Sequence, residues 1–250
     1  MIVAATDLDR TLVHSARAAG PVVPGSVVCL ERRGDVVTAM LTPRAAADLV
    51  ALDRRACWVP ATTRTVAEYR RLDLARGLGV APRFAVCANG GVLLVDGEPD
   101  PAWAAEVRRR VATAAPLAEV ARRLGAVRDA DGCFLVARSA DVELDGLAAW
   151  CAARGWRVDV DREKVHVLPV AVTKSAAVAE VRRRTGAARL LAAGDSPLDA
   201  DLLAAADAGV QPVDGRLHAS GWRAGHVAVT AGTGLAAGEE IAAWLRGRVT

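Results

Sequence analysis

Short apolar runs recur along the chain, each ending in small or polar residues and giving way to a helical pattern. They are IVAA (2–5), CWVPA (57–61), RFAVCA (83–88), RLLAA (189–193) and HVAVT (226–230). Strand-length runs alternating with helical periodicity predict an α/β fold built on a mostly parallel sheet. Between the first two lies VVTAML (36–41), which reads as a hairpin strand. Thr42 and Pro43 then suit the N-cap and first position of a helix reaching about Arg55.

The middle of the chain has another rhythm. Helical periodicity runs from Pro101 to Gly125 with a break at Pro116, and AVRDADGCFLVAR (126–138) reads as two strands joined by a turn over Asp129 to Gly132. A second helix is expected over about 142–154, ending at Gly155, and RVDVDREKVHVLP (157–169) reads as another hairpin. Antiparallel hairpins inside an alternating α/β chain predict an inserted second domain at 99–172, between core segments 1–98 and 173–250. Lys174 opens the next helix, which ends at Gly186.

A length of 250 residues accommodates one large domain or two. The formal charge is only +3, and no arginine-rich segment lacks interleaved apolar residues, so the sequence carries no nucleic-acid footprint. A small molecule is the expected partner. Five cysteines (Cys29, Cys57, Cys87, Cys133, Cys151) are odd in number and never form a C-x-x-C pair, which supports neither a disulfide framework nor a zinc site. They read as small core residues in a reducing compartment. The first four-residue apolar run passes directly into acidic residues, and no stretch approaches the roughly 18 apolar residues of a membrane span, so a cytoplasmic location is expected.

In parallel sheets, ligands collect outside the carboxyl ends of the strands. The polar residues there are Asp7, Asp9 and Thr11; Thr62, Thr63 and Arg64; Asn89, Gly90 and Gly91; and Gly194, Asp195, Ser196 and Asp199, with Lys174 just upstream of the fourth strand. Taken singly, each has an ordinary reading as a solvated turn, a helix cap or a surface cation. Lys174 and Lys164 are the only lysines among 32 basic residues, which favours a local need for a compact ammonium at 174. Taken jointly, Asp7, Asp9 and Asp195 in one cleft would need either raised pKa values or neutralising cations. Mg²⁺ with Lys174 would neutralise all three, and Mg²⁺ is usually held by one or two carboxylates together with a substrate phosphate.

In order, DLDRTL (7–12), VPATTR (59–64), a lysine opening a helix and GDSPLD (194–199) resemble the four motifs of the haloacid dehalogenase (HAD) superfamily of aspartate-nucleophile phosphotransferases. The α-β-β-α-β-β insertion after CANGG (87–91) resembles the C2-type cap of its sugar-phosphatase branch, near the Cof-type, sucrose-phosphate and mannosyl-phosphoglycerate phosphatases. The resemblance implies a Rossmann-like core with an inserted α+β cap and hydrolysis of a small phosphorylated metabolite. It assigns Asp7 as nucleophile, Asp9 as acid and base, and Thr62 and Lys174 as partners of the phosphoryl group. Mg²⁺ would be held by the carboxylates of Asp7 and Asp195 and the main-chain carbonyl of Asp9, with Asp199 in support. Substrate contacts are expected from Arg10, Thr11, Thr63, Arg64, Asn89 and Gly90, and from Arg138, Arg157, Lys164 and His166 of the cap. Two residues depart from the pattern: Arg10 stands where glycine is usual, and Leu198 where asparagine is frequent. His14 reads as a helix or loop residue rather than a catalyst, His218 and His226 lack partners at metal-ligand spacing, and the six tryptophans read as core. Phosphoryl transfer to another acceptor, as in a phosphomutase, and a non-catalytic phospho-accepting protein are the alternatives.

Overall fold

The computed structural model describes residues 1–20 and 25–249. Its central sheet has five parallel strands in the order Val227–Val229, Ala208–Gln211, Arg189–Ala193, Ile2–Thr6, Cys57–Pro60. Successive residues of a strand point to opposite faces, and both faces here are covered. Ala4, Leu191, Ala193 and Trp58 pack beneath helices Pro43–Asp53 and Gly234–Arg246. Val3, Ala5, Leu190, Ala192 and Val59 meet Lys174–Thr185, Ala200–Ala205 and Trp103 of helix Pro101–Arg110. Double coverage is why these strands read as continuous apolar runs rather than alternating ones.

The helix expected after VVTAML begins at Pro43, where the Ala45 amide donates to the Thr42 hydroxyl at 3.1 Å. A cap of this kind contributes about 1 kcal/mol. Strand Val36–Leu41 pairs with Val28–Arg33, whose register shifts on both sides of Glu31. Such a bulge re-aims a side chain, and Glu31 is buried despite its charge.

Two elements differ from expectation. RFAVCA forms strand Phe84–Cys87, but among the described residues its ladder pairing beside the parallel sheet is a single Ala61–Val86 bridge, and it pairs antiparallel with Val92–Val95. The backbone reverses through left-handed conformations at Ala88, Asn89 and Gly90 (φ 48°, 56° and 101°), a turn no apolar pattern encodes. The cap helix expected from 142 begins at Leu147, because Gly146 at φ 67° breaks the path into it.

The cap is a four-stranded antiparallel sheet in the order Trp156–Asp161, Lys164–Pro169, Phe134–Arg138, Val127–Ala130. Leu135, Ala137, Val165, Val167 and Trp156 pack against helices Leu117–Leu124 and Leu147–Ala152. The opposite face carries Phe134, Val136 and Leu168, which pack with Ala88 and Leu198, and it also carries Arg128, Asp159, Asp161, Lys164 and His166. This polar half is the roof of the cleft. None of the described helices is long and apolar enough to cross a membrane.

Candidate active site

Asp7 extends the ladder of the first strand, its amide donating to the Ala193 carbonyl at 2.9 Å. The chain then folds into a tight loop in which the amides of Thr11, Leu12 and Val13 all donate to the Leu8 carbonyl. Arg10 occupies the left-handed region at φ 65°, the conformation that glycine adopts without strain. Asp195 follows the adjacent strand Arg189–Ala193, so two neighbouring parallel strands deliver two carboxylates to one end of the sheet.

Lys174 joins them from the first turn of its helix. It is 1% exposed, and its Nζ donates at 2.6 Å to both Asp7 Oδ1 and Asp199 Oδ1. The other oxygen of Asp199 accepts from the amides of Asp195 (3.2 Å) and Ser196 (3.0 Å) and from the Ser196 hydroxyl (2.9 Å). Thr11 Oγ1 lies 3.2 Å from Asp7 Oδ2 and 3.5 Å from Asp195 Oδ1. Its one proton serves one carboxylate at a time.

Among the described residues, Asp7, Asp195 and Asp199 form a group whose ligand atoms all lie within 4.8 Å of one another. Burial pushes the Asp7 carboxyl up to about 7, although Lys174 opposes the rise. Burial, followed by the neighbouring Asp7 and Asp199, lifts Asp195 well above the usual carboxylate range. Burial alone would lower the lysine, but Asp199 and Asp7 outweigh it and hold the ammonium charged. Three carboxylates face one ammonium, so the ionised cluster is two negative charges in excess. A hard divalent cation taking oxygen ligands fits that donor set.

Asp9 stands apart. Both its oxygens accept from Arg64, at 2.7 Å each, and Arg64 Nη1 also donates to Glu31 at 2.8 Å. Glu31 accepts from Arg71 at 2.8 Å as well, and despite its burial these arginines hold its carboxyl below the usual range. An Arg71–Glu31–Arg64–Asp9 chain of charges thus links the hairpin to the loop after the first strand.

These groups border a cavity of about 380 Å³, open between core and cap. Asp7, Asp9, Arg10, Thr63, Arg64, Lys174 and Asp195 line its core side, and Lys164 and His166 its roof. Burial pulls the His166 imidazole below its ordinary value, with Asp159 3.8 Å away. Several expected contacts lie elsewhere. Thr62 is buried beneath the wall, its Oγ1 accepting from the Arg64 amide at 3.1 Å, whereas Thr11 stays with the carboxylate cluster. Asn89 is fully buried, its Nδ2 donating to the Val172 carbonyl at 3.3 Å. A Cβ on Gly90 would sit 2.1 Å from the Thr173 carbonyl oxygen. Asn89 and Gly90 thus pack against the segment that leads into the Lys174 helix. Arg138 is exposed, 4.0 Å from Asp141, and Arg157 likewise does not border the cavity.

Two features of the site were missed in the sequence. Glu31 lies in a strand that the apolar pattern did not show. Arg216, at the start of helix Arg216–Ala219, reaches the cap and donates to both oxygens of Asp159 at 3.1 and 3.0 Å. Glu31 sits beside Arg32 and Arg33 in VCLERR, so nothing in the sequence separates it from an exposed charged run, and nothing local marks Arg216.

No protein-family model matches the sequence, and no curated protein matches it. Solved structures do match in fold. The sucrose-phosphatase from Synechocystis sp. PCC6803, in complex with sucrose and phosphate, is 17% identical over 98% of this chain and 97% of its own, with a TM-score of 0.67. BT1666 from Bacteroides thetaiotaomicron, a phosphatase of the HAD superfamily, is 15% identical over 100% and 96%, with a TM-score of 0.61. The HAD subclass IIB sugar phosphatase BT4131 is 13% identical over 100% of both chains, with a TM-score of 0.60. Core and cap together, the chain has the fold of the subclass IIB phosphatases of the HAD superfamily.

Proposed function

We propose that the protein is a Mg²⁺-dependent phosphomonoester hydrolase acting on a small phosphorylated metabolite, a sugar phosphate among the candidates, through an aspartyl phosphate. One observation carries this reading above the rest. The buried carboxylate of Asp7 sits at the carboxyl end of a parallel strand on a cavity wall, held at 2.6 Å by a buried ammonium and grouped with two further carboxylates.

In the first step an Asp7 oxygen attacks phosphorus, the P–O bond to the alcohol breaks, and Asp9 gives the departing oxygen its proton. In the second, Asp9 takes a proton from water, the water oxygen attacks phosphorus, and Asp7 leaves as carboxylate with release of inorganic phosphate. Splitting the hydrolysis lowers each barrier, and one acid that becomes a base serves both halves. Lys174 holds Asp7 in place and offsets charge on the phosphoryl group, while Thr63 and Arg64 border the space that group would enter. Mg²⁺ held by Asp7, Asp195, Asp199 and the Asp9 carbonyl would supply further positive charge to the phosphoryl oxygens. Asp9 reaches a substrate oxygen only once its pair with Arg64 opens, and an arriving phosphate offers Arg64 another partner. Five free thiols suit a reducing, cytoplasmic setting.

The test is turnover of p-nitrophenyl phosphate in Mg²⁺, with and without chelator, by wild type and Asp7→Asn. Release of inorganic phosphate that disappears in a folded Asp7→Asn protein is the expected result. An active, folded Asp7→Asn would refute the nucleophile, and an isomerised ester in place of inorganic phosphate would indicate transfer rather than hydrolysis.

A further inference from the structure

The charges around the cavity are almost completely paired. Arg64 and Arg71 are bound to Glu31, Arg33 lies 3.7 Å from it, Arg128 lies 3.3 Å from Glu68, and Arg216 lies 3.0 Å from Asp159. Lys174 is shared between Asp7 and Asp199. Two cations lining the cavity break the pattern. Neither Arg10 nor Lys164 has a carboxylate within 4.0 Å among the described residues, although both line the same space, one from the core and one from the cap.

Asp195 feels the charge of Arg10 but forms no ion pair with it within 4.0 Å, and the other acids beside the two cations are engaged. Asp9, adjacent to Arg10 in the chain, gives both its oxygens to Arg64. Asp161 stands opposite Lys164 in the cap hairpin, yet it lies 3.5 Å from Arg216 Nε and forms no ion pair with Lys164. Arg10 is moreover held at φ 65°, where a side chain carries a backbone cost that glycine avoids. What the arginine adds there is a half-buried guanidinium on the cavity wall. Apart from Phe134 and Leu198, every side chain bordering the cavity is polar or charged.

We propose that the phosphate ester taken by this cavity carries a second anionic group, bound between Arg10 on the core side and Lys164 on the cap. This rests on the phosphomonoesterase reading and narrows its substrate class to small esters with a carboxylate or a second phosphate. The second group completes the charge balance of the closed cleft, and it joins cap to core only when the correct ligand is present. The cavity volume lies toward the low end for small-molecule sites, so the second anion belongs to a compact metabolite.

Matched pairs of esters test the idea. Glucose 6-phosphate against 6-phosphogluconate isolates a carboxylate, and fructose 6-phosphate against fructose 1,6-bisphosphate isolates a second phosphate. In wild type, kcat/KM for the charged member of at least one pair should exceed that of its partner tenfold or more, and the pair that responds identifies the anion. The ratio should fall at least fivefold in Arg10→Gly and in Lys164→Gln, but not in Arg138→Gln, an exposed cap arginine outside the cavity. Using a ratio within each variant cancels losses common to both esters. Equal turnover of both members in both pairs, or a ratio untouched by the two cavity variants, would overturn the proposal. Calorimetric binding of the same pairs to Asp7→Asn needs no turnover. A binding preference there without hydrolysis by wild type would keep the anion site and reject the hydrolase, whereas hydrolysis without a preference would do the reverse.

Discussion

Replacing Lys174 with methionine removes the one positive charge from a buried group of three carboxylates, and the consequence can be worked from the contacts. Two hydrogen bonds of 2.6 Å are lost, and Asp199 Oδ1 loses its lysine partner while its other oxygen keeps three donors. Breaking a buried pair by deleting one partner costs about 3–5 kcal/mol. For a chain of this size each kcal/mol moves the melting temperature by roughly 2–4 °C, so a fall of about 6–20 °C is expected in chelator. The loss should depend on pH in a definite direction. A carboxyl whose folded-state value is raised opposes folding above its unfolded value, and the opposition grows until the pH passes the folded value. Asp7 stands at about 7 with the lysine present and rises further without it. The deficit of Lys174→Met should therefore be small near pH 5, where protons replace the missing charge, and fullest near pH 8. Circular-dichroism melts of both proteins in EDTA at pH 5, 7 and 8 measure it, and added Mg²⁺ should recover more stability in the variant than in wild type. A variant melting within 2 °C of wild type at pH 8 in chelator would refute the charge account of the cluster.

Because burial raises Asp7 and Asp195, Mg²⁺ binding at pH 6 should expel protons and tighten as the pH rises toward 8; calorimetry in buffers of different ionisation enthalpy reads this, and binding with no proton release would exclude these ligands. Arg216→Ala should loosen the cap by about 1 kcal/mol, the order of a partly buried bidentate pair, raising KM several-fold. Asp159→Asn should do the same and the double variant no more, whereas fully additive effects would show that the pair does not act as a latch. Gly90→Ala should destabilise by about 1–3 kcal/mol, since a methyl group would meet the Thr173 carbonyl at 2.1 Å in a left-handed backbone. It should also lower kcat by displacing Lys174, and a stable, fully active Gly90→Ala would contradict that role.

The parts of this molecule readable from sequence are those whose causes are local. Doubly covered strands must be apolar throughout, so IVAA and RLLAA announce themselves, and the carboxylates that follow them fall at the ligand-binding end of the sheet. Thr42–Pro43 marks a helix start through an amide three residues away. Ala208–Gln211 is short, and one of its four residues is glycine, so its burial arises only from neighbours on either side. Their place just after a strand makes Asn89 and Gly90 candidates for ligand contact. The structure also packs them against Val172 and Thr173, more than 80 residues away in sequence. Arg216 with Asp159 is separated by 57 positions, and no periodicity links two residues whose only connection is that a cap folds over a core.

The same distinction explains why the cap can serve as a moving part. The core sheet is sealed by two extensive apolar layers, whereas the contact between cap and core consists of a narrow seam in which Phe134, Val136 and Leu168 meet Ala88 and Leu198, flanked by ion pairs and a hydrogen bond from the Val66 amide to Asp131. A small apolar area with partly exposed charge pairs makes a weak interface, and relative motion is the ordinary behaviour of such interfaces. If the proposed hydrolysis holds, opening of this seam would widen the path by which an ester enters and its products leave. Leu198, the departure from the resembling motif, lies within that seam. At this position the chain places an apolar contact for the cap, and Asp199, fixed by Lys174 and Ser196, leaves no need for a second polar side chain beside it.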